Sequence, residues 1–336
     1  MSKKPIRITI FNHKGGVGKT TLTVHIAHAL ADLGKKVMIV DTDPQCNLTS
    51  YLFEDSVVDD LLNSAESASG RTVWTAVKPI VDQTGELRVV RPHSVGSLQV
   101  IPGDIRLSDF EEFLGEAWTH CFQRRLGGFR AMGAISELID KVAESRTDYV
   151  FYDAGPNIGP LNRALLLDTD AFIVPVACDL FSVRALKTLG QKLKQWIVDW
   201  QVATSLAPDG TSLILGAPTF IGFVPQRFKV YGQVMAKAPS LYLREIKRRM
   251  QEDIASVIAE VAPKRIPAIE KDYLFGEVKD FASLVQTAQR EGVPIWDCSS
   301  TDNRQKEGAR KTFEKIARNV VEKCKNLNPG KVGTHA

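Results

Sequence analysis

Asn12-His13-Lys14-Gly15-Gly16-Val17-Gly18-Lys19-Thr20-Thr21 is the stretch whose reading decides the fold. It follows a β-branched run, Ile6, Ile8, Thr9, Ile10 and Phe11, that predicts a buried strand. It opens a segment with apolar residues at Leu22, Ile26, Leu30 and Leu33, which is helical spacing. Strand, glycine loop and helix together form a phosphate-binding context. Glycines let successive backbone N–H groups turn inward on a phosphate, and the start of a helix adds its positive dipole end. In such a loop Gly15, Gly16, Val17, Gly18, Lys19, Thr20 and Thr21 cradle the nucleotide, Lys19 reaches the β- and γ-phosphates, and the Thr20 hydroxyl ligates Mg²⁺.

Two further strands end in acids. Val37-Met38-Ile39-Val40 runs into Asp41-Thr42-Asp43-Pro44-Gln45-Cys46-Asn47, and Tyr149-Val150-Phe151-Tyr152 runs into Asp153-Ala154-Gly155-Pro156. Short continuous apolar runs around helices argue for a parallel sheet covered on both faces. A right-handed crossover brings the end of the second strand beside the phosphate loop. Carboxylates delivered there can hold a Mg²⁺-bound water or orient an attacking one. Acids at strand ends also serve simply as helix caps, so their meaning depends on the loop they accompany.

The loop departs from the common pattern G-x-x-x-x-G-K-[ST]. Position 13 is His rather than Gly, and Lys14 directly precedes the glycines. The form K-G-G-x-G-K-T-T resembles the deviant Walker A motif of the ParA/MinD family of ATPases, and Asp41-x-Asp43-Pro44-Gln45-x-Asn47 resembles that family's switch I. The resemblance extends over roughly 6 to 50, 98 to 114, 148 to 190 and 266 to 325, with Leu98-Gln99-Val100-Ile101-Pro102 and Ala171-Phe172-Ile173-Val174-Pro175-Val176 as further matching strands. It implies an α/β fold with a doubly wound, mostly parallel sheet and helices on both faces. It also implies ATP and Mg²⁺ as ligands, with Thr20, Asp41 and Asp153 at the metal. Asp43 positions the hydrolytic water, and Lys14 is a signature lysine that crosses an ATP-dependent homodimer to the partner's nucleotide. Where the family carries D-T-P-P after the third strand, this chain has Asp153-Ala154-Gly155-Pro156, which alters the switch II segment.

The chain has 336 residues, 44% hydrophobic and 24% charged, enough for a well-buried core. One P-loop domain spanning 1–336 is expected, with embellishments at about 51–130 and 226–265. Cys46, Cys121, Cys178, Cys298 and Cys324 show no C-x-x-C spacing, so reduced cytosolic thiols are the simplest reading. No long apolar run suggests secretion or membrane spanning, and a cytoplasmic location is expected, nucleoid-associated if DNA is bound.

The net charge of +4 is unevenly spread. Residues 224–250 carry seven Lys or Arg against one Glu, and residues 301–336 nine against four acids. Arg227, Lys229, Lys237, Arg244, Lys247, Arg248 and Arg249 would point outward from a stripe of Leu243, Ile246 and Met250. Such clusters suit a polyanion and equally describe solvated helix faces. Trp196 and Trp200, four apart, are expected in packing. A helix is expected over Leu107 to Leu114, a strand and loop around Ile266 to Ile269, a helix over Val278 to Glu291, and a final helix over about Gly308 to Lys325. The last is amphipathic, and its apolar face is read as closing the fold rather than lying on a membrane.

Together these features predict a ParA-like ATPase working as a slow, partner-stimulated dimerisation switch. Plasmid or chromosome partition through nonspecific DNA binding, with a stimulating partner such as a centromere-binding protein, is the leading expectation. A MinD-like positioning ATPase on a membrane, or a similar switch in a defence or conjugation machine, is the alternative. An enzyme coupling ATP to reduction finds no paired cysteines to support it.

Overall fold

The computed structural model describes residues 4–143, 146–228, 230–231, 234–235, 237–265, 273–281 and 283–327. β1 (Ile6–Ile10) leads into α1 (Lys19–Asp32), β2 (Val37–Asp41), α2 (Asn47–Leu52), α3 (Asp55–Ser64), α4 (Val73–Val81), β3 (His93–Val95), β4 (Leu98–Ile101), α5 (Leu107–Phe122), α6 (Leu126–Met132) and α7 (Ala134–Val142). There follow β5 (Tyr149–Asp153), α8 (Pro160–Asp168), β6 (Ala171–Ala177), α9 (Leu180–Ser205), β7 (Thr219–Phe228), β8 (Val230–Tyr231) and β9 (Val234–Met235). The chain then continues through α10 (Lys237–Arg249), a π-helical turn (Met250–Ala255), α11 (Ser256–Val261), β10 (Val278–Lys279), α12 (Ser283–Glu291) and α13 (Asn303–Cys324).

Eight strands form one sheet in the order β10-β7-β6-β1-β5-β2-β4-β3. Every neighbour pair is parallel except β3 with β4. The chain winds from β1 to β2, out to the edge strand β3, back into β4 beside β2, then places β5 between β1 and β2 and builds β6, β7 and β10 on the other side. This is the doubly wound α/β sheet. Alternation along the central strands feeds two cores. Ile8, Ile10, Ile39 and Phe151 pack under α1, α2, α12 and α13, while Val40, Val150, Tyr152 and Phe172 pack under α4 to α9. Both faces are covered, which is why these strands read as unbroken apolar runs.

Several boundaries differ from the expectation. α5 runs on past Leu114 to Phe122, because Ala117 and Cys121 continue its buried stripe. Val278 and Lys279 are not helical: they pair alongside β7 as an edge strand, and α12 starts only at Ser283. α13 begins at Asn303, where the Asp302 carboxylate accepts the Gln305 N–H at 2.9 Å. Its first turn carries Arg304 and Lys306 and no buried residue before Ala309, so apolar spacing could not mark its start. The face made by Phe313, Ile316, Ala317, Val320 and Cys324 is buried against the sheet and α1, as expected of a fold-closing helix. Trp196 and Trp200 are likewise in the core, with Trp200 stacked on Trp118 at 5.8 Å. Ile266 to Ile269 and Lys229 lie outside the described residues. Among the described residues no helix is long and apolar enough to cross a membrane.

Candidate functional site

The C-terminal ends of β1, β2 and β5 converge on one edge of the sheet, and the phosphate loop crosses it. Asn12, fully buried, anchors the loop: its amide donates to the Pro175 carbonyl at 2.8 Å and its Oδ1 accepts the Lys14 N–H at 3.1 Å. Gly16 and Gly18 have φ of 71° and 77°, the left-handed conformation that a side chain rarely tolerates. A Cβ on Gly18 would also run into the Gln226 side chain at the end of β7. α1 therefore starts at Lys19 with no side-chain cap and no acid in its first turn. Its first N–H groups and dipole are left for an anion.

The acids stand around Lys19. Asp41 and Asp153 are register neighbours on β2 and β5, and both are fully buried. Asp153 accepts the Thr20 hydroxyl at 2.8 Å and the Thr23 hydroxyl at 3.1 Å. Asp41 accepts the Asp43 N–H at 3.2 Å, and the Thr49 N–H and hydroxyl at 2.8 and 2.6 Å. Asp43 Oδ1 accepts the Gln45 N–H at 3.0 Å and lies against Gly155, whose Cβ would sit 3.1 Å from it. Burial and then its acidic neighbour push the Asp153 carboxyl up, with the threonine hydroxyls opposing. Burial raises Asp41 in the same way. Lys19 is pulled down by burial, against the attraction of Asp153 and Asp43. One buried ammonium attracted by two carboxylates, Asp153 and Asp43, leaves excess negative charge of the hard-oxygen kind that suits Mg²⁺. Thr20 and Asp153, already in contact, fit that ion.

Lys14 is placed differently from the rest. Its ammonium leaves the loop for Asp179, at 2.6 and 2.8 Å from the two carboxylate oxygens, and for the Ser182 hydroxyl at 3.1 Å. Asp179 also caps α9 by accepting the Ser182 N–H at 2.7 Å. Burial disfavours the Asp179 charge, but these bonds, Lys14 first, hold its carboxyl below the usual range. In the single chain the lysine is thus engaged within its own subunit.

After Asp153 the chain turns through Ala154-Gly155-Pro156-Asn157. Asn162 on α8 donates to the Gly155 and Asn157 carbonyls at 3.1 and 2.9 Å. Glu111 on α5 accepts the Asn157 amide at 3.3 and 3.4 Å. Spacing and motif assign no role to Thr49, Glu111, Asn162 or Asp179, nor to Asn12 beyond its place at the start of the loop. Only Asp179 carried a local signal, as an acid three residues before a serine at a helix start.

The AAA domain family matches residues 6–204. The sporulation initiation inhibitor protein Soj of Bacillus subtilis is 30% identical over 217 residues, 64% of this chain and 75% of its own length. The chromosome partitioning protein ParA of Caulobacter vibrioides is 30% identical over 198 residues, 58% of this chain and 65% of its own length. Among solved structures, pNOB8 ParA bound to nonspecific DNA aligns with a TM-score of 0.59 at 17% identity, covering 96% of this chain and 99% of that one.

Proposed function

The chain belongs to the AAA domain family, as a P-loop ATPase of ParA/MinD type, and from that premise we propose that it is an ATP-driven dimerisation switch for DNA partition. The observation that carries the reading is the juxtaposition of an uncapped, glycine-built helix start with Lys19, Thr20, Asp153 and Asp43. The loop amides and Lys19 bind the β- and γ-phosphates. Thr20, Asp153 and Asp41 would hold Mg²⁺, Asp41 from the neighbouring strand, where it also accepts bonds from Thr49 and Asp43. When bound, the ion offsets the negative charge of the phosphates. Asp43 accepts a hydrogen bond from the attacking water and aims it in line.

We read slow turnover in the lone chain from Lys14, whose charge is paired with Asp179 of its own subunit. A second chain and a stimulating partner protein complete the site. The partition role draws on the Caulobacter relative, and the DNA surface on the pNOB8 protein. This chain supplies cations on α10, though fewer than its composition suggests. Arg248 pairs with Glu245 and Glu252, and Arg249 with Glu245 and Asp253. Arg244 is exposed on the same helix.

Anisotropy with unrelated DNA duplexes tests the proposal. We expect ATP-dependent binding of similar strength for each duplex, falling log-linearly with salt. Binding indifferent to ATP, or none, overturns the DNA role.

A further inference from the structure

Glu111 belongs to none of the nucleotide motifs, yet its carboxylate is aimed at the loop behind Asp153. The Asn157 amide donates to both of its oxygens, and the Leu161 N–H at the start of α8 also favours its charge. A Cβ on Gly159 would displace the Glu111 carboxylate from its place. Burial raises the Glu111 carboxyl, the bonds from Asn157 and Leu161 oppose this, and the charge of Asp43 adds to the rise. Asp43 is the charged group that faces it.

From this carboxylate a chain of hydrogen bonds leads to the Gly155 carbonyl, beside the acid proposed above to position the water. Asn157 Oδ1 accepts the Gly159 N–H at 3.1 Å and the Asn162 amide at 2.6 Å. Asn162 also holds the Gly155 carbonyl. Gly155 in turn lies against Asp43, where any side chain would crowd the carboxylate. In the loop Ala154-Gly155-Pro156 one residue is a glycine, and no hydroxyl ties it down. Its shape is set from outside, by an amide network that ends on Glu111.

We propose that Glu111 is a positioning residue for ATP hydrolysis: it clamps the loop 154–159 through Asn157 and Asn162, and thereby fixes Gly155 against Asp43. Glu111 touches no part of the phosphate cradle, so its effect falls on turnover and not on nucleotide binding. The inference rests on the role of Asp43 proposed above.

The test compares Glu111→Ala, Glu111→Gln and Asp43→Ala by fluorescent ATP-analogue binding and single-turnover hydrolysis. We expect Glu111→Ala to bind nucleotide within about twofold of the parent chain and to hydrolyse it about tenfold more slowly, short of the ~10²-fold that an ångström of misplacement costs. Glu111→Gln keeps the volume and one acceptor oxygen, so it falls between the two and serves if the alanine variant does not fold. Adding Glu111→Ala to Asp43→Ala should slow hydrolysis no further, since one acts through the other. Parent-like hydrolysis in both Glu111 variants, or additive losses with Asp43→Ala, overturns the clamp. Normal hydrolysis in Asp43→Ala alone instead overturns the role of Asp43.

Discussion

In the proposed mechanism Lys19 and Asp43 divide the work of the site, and their surroundings give the reason why single substitutions should separate binding from turnover. The Lys19 ammonium is buried at a helix start and balanced by Asp153 and Asp43. Removing it leaves those acids uncompensated and takes away the cation that meets the phosphates. Lys19→Ala is therefore expected to lose nucleotide binding by at least tenfold, the scale of a charge-assisted bond of about 1.5–3 kcal/mol. Asp43 lies against Gly155. Asp43→Ala should keep ATP, lower hydrolysis by ~10²-fold or more, and accumulate an ATP-bound dimer. Chromatography of retained nucleotide beside size-exclusion profiles separates the two variants, and normal turnover in Asp43→Ala would remove Asp43 from the mechanism.

At the scale of elements, α1 carries the phosphate loop into the core, and His25 on that helix fastens it. The His25 ring meets the Thr21 carbonyl through Nδ1 at 2.6 Å and accepts the Ile295 N–H through Nε2 at 3.1 Å. It also stacks on Phe313 of α13 at 4.7 Å. Burial, against the bond to Thr21, lowers its pKa to about 3, and burial lowers His28 on the same helix to about 4. An unfolded histidine takes its proton near pH 6.5. Below that the unfolded chain binds more protons than the folded one, so stability is complete above about pH 6.5 and falls steadily as the pH drops towards 3. Urea unfolding of His25→Gln should show a lower midpoint at pH 8 and a flatter decline between pH 6.5 and 4. An unchanged decline would mean that His25 does not report this linkage. Local pattern was enough for α1, β1, β2 and β5, since buried β-branched runs and glycines act within a few residues. It failed at Val278, where an apolar residue in helical spacing joins an edge strand through a partner on β7. Spacing alone leaves the role of α10's charge open, because Glu252 and Asp253, which pair with Arg248 and Arg249, lie in the π-helical turn just beyond it. Lys14 meets Asp179 from 165 residues away, and Glu111 meets Asn157 from 46, so neither pairing leaves a trace in spacing.

For the molecule as a whole, every group assigned to ATP lies on one rim of the sheet, and in the proposed mechanism a second chain completes that rim. Lys14 is turned aside onto Asp179, and beside that pair Leu180 and Phe181 project from the start of α9, with Phe181 71% exposed. An exposed aromatic next to a half-buried ion pair suits coverage by another protein surface. If the ATP-bound rim of a second copy covers it, Lys14 can exchange a carboxylate partner for a phosphate. That exchange costs little, because both partners are anions at the end of the same flexible stem. Hydrolysis per chain should then rise with protein concentration and level off once dimers predominate. Lys14→Ala should bind ATP as the parent does and show a low rate at every concentration. Steady-state rates across a dilution series, read beside sedimentation velocity with and without ATP, decide the matter. A rate per chain that is constant while the species remains monomeric would show that one chain completes the site alone, and would return Lys14 to the role of a loop lysine paired with Asp179.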